Sequence, residues 1–130
     1  MLAPVYRLRK VRDFNLLVAH GRTWRGRLFD LKYLQLAKIR QFFPVREDPI
    51  KFARQLKIGV AVGAKVERRA VGRNRLKRQM REAIRLLLKT DHLPAGYYCL
   101  VVARRPAIGK DFAAISQEIA LALQQSGVWQ

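Results

Sequence analysis

Residues 74–89 read NRLKRQMREAIRLLLK, and this stretch decides the fold of the chain around it. Apolar side chains recur in it at helical spacing, which predicts an amphipathic helix over residues 74–89. The apolar stripe consists of Leu76, Met80, Ala83, Ile84 and Leu87. The opposite side of the helical wheel carries a basic ridge of Arg73, Lys77, Arg81 and Arg85, flanked by Asn74 and Arg78. One face of this helix therefore packs, and the other presents cations.

The excess of positive charge extends beyond this helix. The chain has 27 Lys and Arg against 9 Asp and Glu, a net charge of +18. Ordinary solvated helix faces mix the two signs, whereas residues 65–89 contain only two acids, Glu67 and Glu82. Because like charges four residues apart destabilise a helix, the ridge has no structural benefit unless an anion neutralises it. We therefore expect a polyanionic partner, and nucleic acid is the first candidate.

Length and composition exclude several classes of protein. At 130 residues the chain is predicted to form one domain over 1–130, with flexible ends at 1–5 and 126–130. A single cysteine, Cys99, provides no disulfide framework and no cysteine-based zinc site. No apolar run is long enough to span a membrane, and the first ten residues are not followed by the apolar segment of a secretory signal. These features predict a cytoplasmic protein whose thiol stays reduced.

The remaining pattern predicts the element order α-β-β-α-β-α, an α/β sandwich with a small mixed sheet. A short helix is expected over residues 12–20, followed by a basic turn and a strand over 28–39 with a bulge where its alternation changes parity. Residues 40–55 contain two prolines and are expected to be a long loop that makes a wide hairpin to a strand over 56–64. The apolar run 97–103 suits a strand buried on both faces. Asp111 is expected to cap a final helix that reaches Gln125 and buries Phe112, Ile115, Ile119 and Leu123.

A second basic cluster spans Arg7–Arg27 and is interleaved with aromatic residues, Tyr6, Phe14 and Trp24. Cations with aromatics suit single-stranded nucleic acid, because bases stack on the rings while the phosphates are neutralised. Phe14 and Phe29 could equally be core residues. Catalytic patterns are poor, since the nine acids form no evident metal triad and Cys99 lies in an apolar run. The sequence thus predicts a binding protein without catalytic residues of its own.

The segment Ala70-Val71-Gly72-Arg73-Asn74-Arg75-Leu76-Lys77-Arg78-Gln79-Met80-Arg81-Glu82 resembles the Arg-Asn-Arg signature of the bacterial ribonuclease P protein component. The stretches 7–14, 58–65 and 101–104 resemble further landmarks of that family in the same order. The resemblance extends from about Tyr6 to Leu123. It departs from the family at three places. Val18 replaces a frequent second aromatic, and Ala64 precedes Lys65 where a pair of lysines is usual. The spacer 40–54 is longer than the usual connection between the strands.

The resemblance implies a left-handed β-α-β crossover around the signature helix. It also implies a catalytic RNA subunit that uses Mg²⁺ to remove the 5′ leader of precursor tRNA, with no protein partner required. The RNA subunit would be bound by Lys65, Arg68, Arg69, Arg73, Asn74, Arg75, Lys77, Arg78, Arg81 and Arg85. A cleft between the sheet and the first helix would bind the single-stranded leader through Phe14, Val18 and Lys32 or Tyr33.

Two other functions fit the charge. A general RNA-binding module, such as a ribosomal protein, would share the basic ridge but would need no leader cleft. A protein that binds acidic membrane surfaces is disfavoured by the strand content and by the preference for arginine over lysine.

Overall fold

The structure, a computed structural model, describes residues 2–90 and 95–129. Its helices and strands alternate along the chain in the predicted kind of order, with one additional short strand and one additional short helix. In chain order they are α1 (Val11–His20), β1 (Arg22–Arg25), β2 (Phe29–Gln35), α2 (Pro49–Ala53), β3 (Leu56–Ala61), α3 (Ala70–Thr90), β4 (Tyr97–Ala103) and α4 (Phe112–Gln125). Short 3₁₀ helices lie at Pro4–Tyr6, Leu36–Phe42 and Arg105–Ala107.

The four strands form one mixed sheet in the order β1-β2-β4-β3. β2 is antiparallel to both β1 and β4, whereas β3 and β4 are parallel neighbours joined through α3. The predicted hairpin between β2 and β3 is therefore wrong, because β4 lies between them. The predicted basic turn is also wrong in part, since Arg22–Arg25 pairs with β2 as an edge strand.

Both faces of the sheet are covered, and this explains the change of parity in β2. Phe29 and Leu31 lie in the core cluster beneath α3 and α4, while Leu34 lies in a second cluster beneath α1. The pairing of β2 with β4 is continuous from Phe29 to Gln35, so the predicted bulge is absent. The strand ends at Gln35, and the expected continuation to Ile39 is a 3₁₀ helix instead.

The three strongest predictions are confirmed. The apolar stripe of α3 packs into the core, with Met80 and Ala83 fully buried, although the helix begins at Ala70 rather than Asn74. β4 is central and buried on both faces. Asp111 caps α4 by accepting a hydrogen bond from the backbone N–H of Ala114 at 2.9 Å. Phe112 is an exception, because its ring remains exposed.

The expected loop and the two chain ends contain residues that pack into the fold. The expected loop 40–55 contains α2, which Asp48 caps through the N–H of Ile50 and which begins at Pro49. Leu2 and Val128 are both buried in the main core, whereas Val5 is 67% exposed, and the flexibility of the ends stays a prediction. Met1 and Gln130 lie outside the described residues.

Candidate RNA interface

The α3 surface, defined here as Asn74, Arg75, Lys77, Arg78 and Arg81, lies on the side of the helix away from the core. Asn74, Arg75, Arg78 and Arg81 are exposed, and Lys77 is half-buried. Within the part of the chain that the structure describes, no salt bridge is recorded for any of these four cations. Their charge is therefore available to an anionic partner.

Arg73 and Arg85, at the two ends of the predicted basic ridge, have hydrogen-bond partners within the chain. Arg73 donates hydrogen bonds from Nη1 to the backbone carbonyls of Glu67 at 3.1 Å and Arg68 at 2.6 Å. Arg85 donates hydrogen bonds to Glu82 from Nη2 at 2.6 Å and from Nε at 3.0 Å, and these bonds lower the pKa of the Glu82 carboxyl. Arg73 thus holds the loop before the helix, and Arg85 is locally neutralised. The sequence identified both cations but not their partners.

The loop before α3 presents Lys65, Arg68 and Arg69, all exposed. Glu67 shapes this loop, since its Oε1 accepts a hydrogen bond from the N–H of Arg69 at 3.1 Å. Its Cγ also lies where a Cβ on residue 72 would come within 2.7 Å, so a residue larger than Gly72 would displace the Glu67 side chain. These contacts place the three loop cations beside the start of the α3 surface.

The predicted leader residues fall on two different faces of the sheet. Phe14 packs against the cluster beneath α1, and Val18 on the same helix is 63% exposed. Lys32 is paired with Leu100, which packs on that same cluster. Tyr33 lies on the opposite face, where it packs against the main core. The structure therefore groups Phe14, Val18 and Lys32 on the side of α1 and separates Tyr33 from them.

A cleft of about 630 Å³ connects α1 with α3. We call it the Phe14 cleft. Its walls are Phe14 and the N-terminal segment on one side and Arg78, Arg81 and the Arg85-paired Glu82 on the other. Its floor is the outer strand β3, where the Ile58 carbonyl accepts a hydrogen bond from the N–H of Leu8 at 3.3 Å. An aromatic ring and two arginines of the α3 surface thus line one continuous cleft, a proximity that the sequence did not predict.

Beneath α1, Asp13 is fully buried and is held by groups from three elements. Its Oδ1 accepts hydrogen bonds from the Tyr98 hydroxyl at 2.9 Å and from Arg12 Nε at 3.3 Å, and Lys57 Nζ lies 3.6 Å from its Oδ2. Burial, followed by the hydrogen bond to Asp13, raises the pKa of Tyr98 well above its ordinary value. This network fixes the helix that carries Phe14.

The remaining reactive groups among residues 2–90 and 95–129 are a buried thiol and dispersed acids. Burial raises the pKa of the Cys99 thiol to about 12, which agrees with the predicted inert core cysteine. Among residues 2–90 and 95–129, no three His, Cys, Asp or Glu side chains lie close enough to hold a metal ion. The same residues contain no helix long and apolar enough to cross a bilayer.

The fold and the arginine-rich surface together define a small basic α+β protein that binds nucleic acid. Comparison with known proteins narrows this class. The sequence profile described as Ribonuclease P matches residues 2–127. The chain is 32% identical to the ribonuclease P protein component of Cyanothece sp., covering 98% of this chain and 97% of that one. It is 31% identical to the component of Symbiobacterium thermophilum, covering 99% and 97%.

Solved structures share the fold. The Staphylococcus aureus RNase P protein superposes with a TM-score of 0.71 at 23% identity, covering 96% of this chain and 98% of that one. The Thermotoga maritima protein superposes with a TM-score of 0.69 at 23% identity, covering 92% and 96%. The chain belongs to the bacterial ribonuclease P protein family. It is accordingly a protein subunit of the ribonuclease P holoenzyme, which processes the 5′ ends of tRNA, and it associates with ribonuclease P RNA.

Proposed function

We propose that the α3 surface and its neighbouring loop cations bind the RNA subunit, and that the Phe14 cleft binds the single-stranded 5′ leader of precursor tRNA. The observation that supports this division of roles is the shared cleft. Phe14 faces the same space as Arg78 and Arg81, so one wall offers a ring for a base and the other offers cations for phosphates. The leader would then enter beside the RNA-binding helix.

Phe14 suits a stacking role because only part of its ring is used by the core. It is half-buried against the cluster beneath α1, to which Leu17 and Tyr98 belong. Lys32 on the same side of the sheet would neutralise a further phosphate. Val18 offers an apolar contact but no ring, so Phe14 is the residue of this pair that could stack on a base.

We further propose that the Mg²⁺ used in the reaction is held mainly by the RNA subunit and the substrate. The donor set of the described residues does not fit a metal site on the protein. Four of the acids already have cationic partners, namely Asp13, Glu47, Glu67 and Glu82. The protein's contribution would be binding and charge neutralisation, in the cytoplasm where its substrate is made.

Reconstitution tests the first part of the proposal. The chain is added to a bacterial ribonuclease P RNA at a Mg²⁺ concentration too low for the RNA alone to cleave precursor tRNA. We expect cleavage to appear with the protein, because added cations reduce the need for metal ions to screen phosphates. No improvement over the RNA alone would refute the proposed role.

Leader binding is tested with the complex of this protein and the RNA subunit. The measured quantity is the ratio of its affinities for precursor and mature tRNA. Phe14→Leu keeps an apolar side chain in the cluster beneath α1 but removes the stacking ring. Because stacking contributes about 1–3 kcal/mol per base, the ratio should fall about fivefold or more. Phe112→Leu on α4 removes another exposed ring and is the matched control. Equal ratios for the two variants would exclude stacking at Phe14.

A further inference from the structure

A second groove lies at the other end of α1, away from the Phe14 cleft. It has a volume of about 390 Å³ and is bounded by His20, Arg22, Lys38, Gln41, Phe42 and Tyr97. β1 begins here, β4 begins here, and β2 ends here at Gln35. None of its lining residues belongs to the α3 surface or to the Phe14 cleft. We call it the His20–Phe42 groove.

The groove carries an exposed pair of stacked rings. The His20 and Phe42 ring centroids are 4.3 Å apart with an interplanar angle of 23°. His20 is exposed, Phe42 is 48% exposed, and neither ring belongs to the two core clusters. The neighbouring Phe43 differs, since it packs at 4.5 Å from the buried Phe52. Adjacent phenylalanines thus have different environments, and Phe42 leaves a ring face available to a ligand.

The charges and polar groups around this pair match a nucleotide. Arg22 and Lys38 are both exposed at the groove, and among residues 2–90 and 95–129 its lining includes no aspartate or glutamate. Gln41 and the hydroxyls of Tyr33 and Tyr97 provide hydrogen-bond donors and acceptors. Rings for a base, cations for phosphates and no competing carboxylate form the combination that binds unpaired nucleotides.

We propose that the His20–Phe42 groove binds an unpaired RNA nucleotide, with the base stacked on the ring pair and a phosphate at Arg22 or Lys38. The site extends the proposed function, because it lies outside both surfaces assigned above. It also gives a role to Tyr33, which the sequence placed in the leader cleft. Phe42 comes from the segment between β2 and β3 that is longer than the family pattern.

Photocrosslinking tests this site. The full chain is mixed with an oligouridylate that contains 4-thiouridine, irradiated and digested with trypsin. The peptide 41–46 carries Phe42 and no residue of the Phe14 cleft or α3 surface, so a crosslink on it reports the groove. We expect that crosslink, together with others on the peptides of the two assigned surfaces.

A charge-matched pair of double variants makes the test specific. Arg22→Gln with Lys38→Gln should lower the yield on peptide 41–46 about fivefold or more relative to the other peptides, since two phosphate contacts are removed. Lys51→Gln with Lys110→Gln removes two exposed cations outside the groove and should leave that ratio unchanged.

Three results would overturn the proposal. They are no crosslink on peptide 41–46, equal loss in the two double variants, and equally effective competition by polyglutamate, which would indicate a site for acidic protein. His20→Leu should also reduce the yield, because one of the two rings is removed. The low-Mg²⁺ cleavage assay is separate, so the proposed function can fail while the groove is confirmed, or the reverse.

Discussion

The hydrogen bond between Tyr98 and Asp13 should contribute measurably to the stability of the fold, and a double-mutant cycle can isolate it. Both side chains are fully buried, and 85 residues of sequence separate them. Asp13→Ala leaves the Tyr98 hydroxyl without this acceptor and Lys57, whose side chain is only 16% exposed, without its anion. An unsatisfied buried donor costs about 1–3 kcal/mol, so we expect a total loss of about 3 kcal/mol.

Tyr98→Phe should cost less, about 2 kcal/mol, because Asp13 keeps Arg12 and Lys57 as partners. The double variant should cost less than the two single variants together by about 1–2 kcal/mol. Urea unfolding followed by tryptophan fluorescence measures all four proteins, since Trp24 and Trp129 both pack against the core. Additivity within about 0.5 kcal/mol would refute the assigned hydrogen bond.

The pH dependence checks the buried environment of the Tyr98 hydroxyl, to which this bond contributes. The pKa of Tyr98 in the folded state lies above its ordinary value of 10.0, first because of burial and then because of Asp13. The stabilisation of the fold by the protonated Tyr98 hydroxyl is therefore complete below pH 10 and is lost as the pH rises beyond that value. The stability difference between the native chain and Tyr98→Phe should shrink above that pH. A constant difference would contradict the buried, protonated state of the Tyr98 hydroxyl.

Three further outcomes follow from the structure. Met80→Ala should lower the free energy of unfolding, measured by calorimetry, by about 2–5 kcal/mol, because Met80 is fully buried on the inner face of α3. A loss below about 1 kcal/mol would show that the core collapses into the space left by the side chain. Arg81→Ala should reduce the salt slope of ribonuclease P RNA binding by ~1, and Arg85→Ala by less, because Glu82 already neutralises Arg85. Cys99 should react with a thiol reagent only after denaturation, since its side chain is buried and its pKa is raised, so rapid modification of the folded chain would contradict that burial.

Local sequence patterns predicted the helices and strands in which apolar residues follow a regular pattern. The stripe of α3 and the apolar run of β4 each specify an element and its buried face, and both are confirmed. The two prolines of 40–55 led to a loop, although Asp48 followed by Pro49 is an N-cap with proline at the first helical position. The mixed charges around this cap are more typical of a loop, and they obscure the helix signal.

Local sequence patterns cannot predict contacts between residues that are far apart along the chain. β1 is mostly exposed, with only Trp24 half-buried, so hydrophobic alternation could not reveal it. Asp13 looked like one acid in a basic cluster, and only its proximity to Tyr98 and Lys57 shows that it is a buried anchor. Similarly, Phe14 and Arg78 are far apart in sequence, and the parallel pairing of β3 with β4 through α3 brings them to one cleft.

The position of the arginines has a consequence for the protein before it meets RNA. An open sheet has two outer strands, whose free backbone groups can pair with another copy of the same chain and start aggregation. Here β1 carries Arg22 and Arg25, and the outer side of β3 is bordered by Arg7 and Arg9. Two approaching copies would bring like charges together at either edge. The same cations that suit an RNA partner therefore also protect the unassembled subunit from self-association.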